Sequence, residues 1–241
     1  MMLLSLDRPH TATPRAYVDE IIAKHRERSG PECHLYGGHK FTVLPTVYSP
    51  FIAPSGGLGL SFAAQPMFRG KRVLDIGCGS GIVSSMIAAS GSSMLVGTDI
   101  NAAAITNCHI NARELKVEDI SRFYTGDLFE PLVREEEPFD IIFANLPFAD
   151  ALPVDILESA FFDPELRSIK QFITQVGDWL TADGKAYLCL SDYDNDGLDE
   201  LAESHGLHWK VFIRINHEWS TLYIIELSAS SESHPSEKGR L

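Results

Sequence analysis

Val73-Leu74-Asp75-Ile76-Gly77-Cys78-Gly79-Ser80-Gly81 runs directly into Ile82-Val83-Ser84-Ser85. The first four residues read as a buried strand, the glycines as a sharp turn, and the last four as the start of a helix. Glycine at alternate positions lets the main chain turn tightly and lets a ligand approach the backbone, because no Cβ stands in the way. A lone G-x-G carries little weight, but a strand before it and a helix after it are the context that makes it informative.

From Lys71 onward, apolar strand-like runs alternate with helical stretches. Strands are predicted over 72–76, 94–98, 122–125, 139–144 and 186–190, with helices over 82–89, 102–115 and 167–180. Such alternation implies a parallel sheet covered by helices on both faces. The chain closes differently, since 209–215 and 221–227 are two strand-like runs joined by a short connection. They read as an antiparallel hairpin at one sheet edge. The predicted architecture is therefore α/β: a Rossmann-like, mostly parallel seven-stranded sheet with a C-terminal antiparallel hairpin.

Before this unit, residues 17, 18, 21 and 22 (Tyr, Val, Ile, Ile) recur at helical spacing after Pro14, which predicts one amphipathic helix. A stretch punctuated by glycine and proline follows to about Pro66, with a strand-like segment at 41–44. The expected division is 1–66 as an N-terminal helix and lid or connector, 67–228 as the ligand-binding domain, and 229–241 as a disordered Ser- and Glu-rich tail.

The 241 residues suffice for one substantial core. Nothing approaches the ~20 apolar residues of a membrane helix, and the opening residues lack the pattern of a secretory signal. Four scattered cysteines without a C-x-x-C pair predict free thiols in a reducing compartment, hence the cytoplasm. The formal net charge of −13 weighs against a nucleic-acid partner and favours a small molecule or protein. Oligomeric state is not legible.

The second strand ends in Val96-Gly97-Thr98-Asp99, which puts an acid eighteen residues beyond Gly81. That is near the ~20-residue spacing of a carboxylate that hydrogen-bonds ribose hydroxyls. The competing role is helix capping, for which Asn101 is a rival. The glycine spacing is G-x-G-x-G, not the G-x-G-x-x-G of dinucleotide folds. With Asp75 two residues ahead of Gly77, the segment resembles the first motif of the class I S-adenosylmethionine (SAM)-dependent methyltransferases. The resemblance covers about 71–227.

It continues in order along the chain. Gly126-Asp127-Leu128 is similar to the family motif whose acid meets the adenine amino group. Asn145-Leu146-Pro147-Phe148 resembles the Asn/Asp-Pro-Pro-Tyr/Phe loop of amino and amide N-methyltransferases, including the HemK-type glutamine methyltransferases. Leu146 stands in place of the first proline. The resemblance implies SAM as cofactor, held by Asp75, Gly77, Gly79, Gly81, Asp99, Asp127, Leu128 and Asn145. It further implies that Asn145 and a loop carbonyl hold the target nitrogen while Phe148 stacks on the acceptor. The expected activity is methyl transfer to a nitrogen of a small molecule or protein side chain. Two alternatives stay open: a cyclase that converts SAM to azetidine-2-carboxylate and methylthioadenosine, and an NAD(P)-dependent oxidoreductase.

Other signals are weaker. Residues 192–203 satisfy an EF-hand expression, but a strand precedes the loop where a helix is required. His34/His39 and His205/His208 lack the cysteine or carboxylate company of a zinc site, so no metal is expected. Tyr36, Phe41 and Tyr48 belong either to a lid that shields the ligand or to a connector packed beside the sheet.

Overall fold

The computed structural model describes residues 15–132, 137–192, 197–216 and 220–229. The tail, the residues before 15 and the centre of the EF-hand-like stretch lie outside them. The chain opens with helix α1 (Arg15–Arg26), a two-stranded antiparallel pair β1 (Glu32–Tyr36) and β2 (His39–Val43), and helix α2 (Pro54–Ala63). Then β3 (Arg72–Ile76), α3 (Ile82–Ala89), β4 (Met94–Asp99), α4 (Ala102–Glu114), β5 (Ser121–Thr125) and β6 (Phe139–Ala144) alternate as the sequence predicts. Helix α5 (Arg167–Gln175), β7 (Leu180–Ser191), α6 (Leu198–Ser204), β8 (Leu207–Asn216) and β9 (Thr221–Ala229) complete the domain.

The large sheet has seven strands in the order β5-β4-β3-β6-β7-β9-β8, and only β9 runs against its neighbours. This is the predicted Rossmann-like α/β sheet, with β9 inserted between β7 and the edge strand β8. Both faces of β3 are buried, which is why its sequence is apolar almost throughout. Leu74 and Ile76 pack toward α5 and α6 in one core, and Val73 packs with Leu58, Phe62 and Ile87 in the other.

Three elements differ from expectation. Residues 167–180 do not form one helix, because α5 ends at Gln175 and a 3₁₀ segment, Val176–Trp179, leads into β7. Strand β7 begins at Leu180, six residues early. Helix α2 falls where the glycines suggest a loop. A Cβ on Gly56 would lie 2.2 Å from the Pro50 carbonyl oxygen, so the glycine permits a close approach of helix and chain.

The chain reverses direction of progress across the sheet at β3, whose neighbours are β4 and β6. Ile76 pairs with Thr98 on one side and Ala144 on the other. The next residues, Gly77, Asp99 and Asn145, therefore leave the sheet side by side at its carboxyl end, the place where open α/β sheets bind ligands. Three residues scattered over 69 positions are thereby made neighbours by register alone.

Gly81 tests how tightly this arrangement is built. Its φ is +71°, and an added Cβ would sit 2.6 Å from Cys108 Cα on α4. Gly81→Ala should cost about 2–4 kcal/mol in chemical denaturation, from left-handed strain and overpacking together. Gly30→Ala, which meets nothing within 4 Å, should stay within about 0.5 kcal/mol of wild type. Similar values for the two would mean that the α3–α4 contact is not close-packed.

Candidate active site

A cleft opens at the carboxyl ends of β3 to β6. Its floor includes Asp75, Gly77, Gly79, Asp99, Asp127 and Leu128, and Asn145 and Phe148 border it from the β6 loop. Of the cofactor and acceptor residues that the resemblance implies, Gly81 alone does not line the cleft and acts through its packing on Cys108. Gly77 and Gly79 have φ of +72° and +53°, a region open to glycine at little cost. Around Gly79 an added Cβ would meet only the Gly77 carbonyl, at 3.9 Å, so this part of the floor is bare backbone.

The loop is held by the end of β4. The amides of Gly77 and Cys78 both donate to the Thr98 carbonyl, at 2.8 and 3.0 Å. Gly79 N–H donates to Asp99 Oδ2 at 2.8 Å and Asn101 N–H donates to Asp99 Oδ1 at 2.8 Å. Asn101, not Asp99, caps α4 by accepting from Ala103 N–H. Asp99 therefore stands free of the capping role and faces the cleft.

Asp75 is 2% exposed and accepts a hydrogen bond from the Ser84 hydroxyl at the first turn of α3. Burial pushes its pKa up to about 7; the Ser84 bond opposes the rise and the nearby Asp99 adds to it. Burial also raises Asp99, against the two backbone N–H bonds that stabilise its charge. Asp127, at the far end of the floor, pairs with Arg167 Nη1 at 2.8 Å.

The opposite wall comes from the N-terminal segment. Tyr17, Val18 and Ile21 of α1 line the cleft together with Tyr48, Ile156 and Phe161. His25 binds them into one block: it is wholly buried, its ring stacks on Tyr48 at 5.5 Å and meets Phe161 edge-on at 5.2 Å. Its Nε2 accepts from Ser49 N–H and its Nδ1 bonds to the Ile21 carbonyl, an arrangement of the neutral ring. Burial accordingly lowers its pKa. Arg26 Nη2 reaches Asp155 at 2.7 Å and Glu158 at 2.8 Å, which ties α1 to the segment after the Asn145 loop.

The aromatic segment is divided between the cleft and a packed core. Tyr48 borders the cleft, whereas Phe41 is fully buried with Val43, Leu60 and Ile82, and Tyr36 packs against that cluster. The α1 stripe was legible as an amphipathic face, but nothing in its spacing says that a cleft, and not a core, receives it. Arg167 was missed because a surface arginine at a helix start carries no motif.

A family model described as a methyltransferase domain matches residues 68–205. Ribosomal RNA small subunit methyltransferase C of Haemophilus influenzae is 31% identical over 133 residues, which cover 55% of this chain and 36% of that protein. A putative protein N5-glutamine methyltransferase of Methanocaldococcus jannaschii is 36% identical over 111 residues, 46% of this chain and 52% of that one. Among solved structures, the T. thermophilus 16S rRNA N2 methyltransferase in complex with AdoMet and guanosine has a TM-score of 0.58 at 22% identity, with 83% of this chain and 50% of that chain covered. The chain spans only about a third of the length of the first of these relatives.

These relatives correct one expectation. The net charge of −13 was read against a nucleic-acid partner, yet relatives matched across the domain are ribosomal RNA methyltransferases. A whole-chain charge is a sum and says nothing of the local surface that meets a substrate. No described helix is long and apolar enough to cross a membrane.

Asp75 supplies a stability signature. Its folded pKa of about 7 lies above the ordinary carboxyl value of about 4 that it regains on unfolding. Between these values the folded protein binds the extra proton, so the contribution is fully present below pH ~4 and is lost as pH rises through ~7. Denaturation from pH 4 to 8 should show wild-type stability falling more steeply with pH than that of Asp75→Asn. Equal slopes would show that Asp75 is ionised throughout.

Proposed function

This chain belongs to the class I SAM-dependent methyltransferases, and on that premise we propose that it methylates a planar, conjugated nitrogen held by the Asn145 loop. Support comes from the register that brings Asn145 out of β6 beside Gly77, so that an acceptor on the loop and a ligand on the glycine turn would share one cleft. The acceptor nitrogens in the relatives' names, glutamine N5 and an rRNA N2, are both conjugated NH2 groups.

The residues present fit SAM. Asp99 would accept from the ribose hydroxyls, Asp127 from the adenine amino group, and the Leu128 amide would meet the ring edge. The bare backbone at Gly77 and Gly79 leaves room for the amino-acid arm, above Asp75. Bound there, SAM supplies an electrophilic methyl on a sulfonium.

The chain's own contribution is to place the nitrogen. The Asn145 carboxamide oxygen and the Leu146 carbonyl would accept the two N–H bonds, which turns the lone pair toward the methyl. Phe148 would pack on the acceptor plane. A nitrogen that takes the methyl carries one proton too many, and it would lose that proton to solvent at the open cleft while Asn145 and Leu146 keep their hold on it. Alignment of this kind removes much of the entropic barrier without an ionised base. Leu146 makes the loop less constrained than a proline would, but it is buried, and its side chain would be 3.3 Å from a Cβ on Gly77. Packing thus supplies what the ring does not.

The test is to incubate the protein with SAM alone, and then with a small-molecule extract, a protein extract or ribosomal RNA, and to identify products by mass spectrometry. S-adenosylhomocysteine and a methylated nitrogen should appear only when an acceptor fraction is present. Methylthioadenosine from SAM alone would instead establish the cyclase. Asp99→Ala should weaken S-adenosylhomocysteine binding by roughly tenfold or more, as a ribose hydroxyl loses a charged acceptor. Asn145→Ala should leave that affinity within about twofold and lower turnover by roughly a hundredfold. Loss of binding in Asn145→Ala, with turnover unchanged in what remains bound, would reverse the two assignments.

A further inference from the structure

We propose that Arg167 is a positioning residue for cofactor recognition: by holding one oxygen of Asp127 it presents the other to the adenine amino group. The inference rests on the reading of Asp127 as the adenine contact and adds a residue to it from forty positions away.

The geometry is specific. Arg167 Nη1 donates to Asp127 Oδ2 at 2.8 Å, and among the described residues no hydrogen bond or ion pair reaches Oδ1. Arg167 is itself held, because the same Nη1 donates to Gln171 Oε1 at 2.9 Å one turn along α5. Both Asp127 and Arg167 border the cleft. A carboxylate fixed at one oxygen cannot rotate freely, so the direction of its second acceptor is set before a ligand arrives.

Placement of Arg167 runs against local preference. It is the first residue of α5, where the helix dipole presents its positive end and disfavours a cation. The turn that delivers it is also strained. Glu165 and Leu166, neither of them glycine, have φ of +56° and +52°, and Leu128 beside Asp127 has φ of +47°. Three of the four described non-glycine residues with positive φ therefore flank this one ion pair.

The strained turn is pinned by dedicated partners. Asp150 Oδ1 accepts from Glu165 N–H at 2.8 Å, and the buried Asp163 accepts from Ser168 N–H. On the other side the Thr98 hydroxyl donates to the Leu128 carbonyl at 2.8 Å. Strain concentrated at a cleft and held by surrounding bonds is the pattern expected where geometry serves recognition.

The experiment is calorimetric titration with S-adenosylhomocysteine and with S-inosylhomocysteine, in which a ring carbonyl replaces the amino group. Wild type should prefer the adenine compound by about tenfold or more, because the carbonyl would face a carboxylate oxygen. Asp127→Ala should abolish the preference. Arg167→Ala should reduce it severalfold by weakening the adenine compound alone, and Arg167→Lys should restore part of it. Melting temperatures of each variant show whether the fold is kept; a purely structural role for Arg167 would lower both affinities together and leave their ratio unchanged. If Arg167→Ala keeps the wild-type ratio while Asp127→Ala loses it, the positioning role is overturned and the adenine contact stands. If Asp127→Ala keeps the ratio, the adenine contact itself is wrong and the inference falls with it.

Discussion

The carboxyl end of β4 is the constraint on which the cleft depends. Thr98 accepts the Gly77 and Cys78 amides through its carbonyl and donates through its hydroxyl to Leu128. Asp99 accepts Gly79 and Asn101 through its side chain and Gly126 through its carbonyl. Two adjacent residues thus bind the glycine turn on one flank and the Asp127 turn on the other. Each bond is modest in net energy, about 1 kcal/mol, but the groups it satisfies are backbone amides that would be costly to leave unpaired in a buried site. The two loops that flank the cleft are thereby tied to the strand between them.

The wall opposite is attached by a different device. Asn107 and Asn111 of α4 are wholly buried, and their amides stand in for a neighbouring strand along β2. Asn111 accepts from Thr42 N–H and Asn107 from Leu44 N–H, while both donate to the Thr42 carbonyl. Asn111 also donates to the Ser80 carbonyl in the glycine turn, which couples the small hairpin to the cleft floor. Arg28 extends the attachment with bonds to the carbonyls of Pro45 and Val47. Two asparagines one helical turn apart would look wrong on the buried face of a helix, and their burial is explained by the strand edge they complete.

Much of the fold was legible because parallel strands buried on both faces leave apolar runs, and helices between them leave a different period. Ile82–Ala89 and Phe139–Ala144 fall where the pattern puts them. What escaped was decided by tertiary contact. The early start of β7 is one case: its pairing with β6 jumps from Leu180 to Lys185, and an added Cβ on Gly184 would be 2.8 Å from the Phe139 carbonyl oxygen and 2.9 Å from the Thr181 nitrogen. A tight local fold of the chain is thus accommodated inside the strand as an irregularity of its pairing. At the cleft, Asp75, Asp99, Asp127 and Asn145 were legible because each lies at or within two residues of the carboxyl end of a strand. Ser84, Arg167 and the α1 stripe were not, because their significance lies in what stands opposite them.

Departures from local preference are not spread evenly over the molecule. Asp75 is a buried carboxyl raised by desolvation and by a second carboxyl, Asp99. Leu128, Glu165 and Leu166 adopt a conformation that costs an ordinary residue roughly 1–2 kcal/mol. Away from the cleft, Lys116 is the remaining described non-glycine residue with positive φ, and it lies just past the end of α4, where a left-handed residue closes a helix. A fold selected for stability alone has no reason to gather buried acids and strained turns around one opening. Their concentration at the carboxyl end of the sheet indicates that the cleft is shaped for a bound molecule: one whose positive charge would offset Asp75 and Asp99, and whose contacts would repay the strain at Leu128.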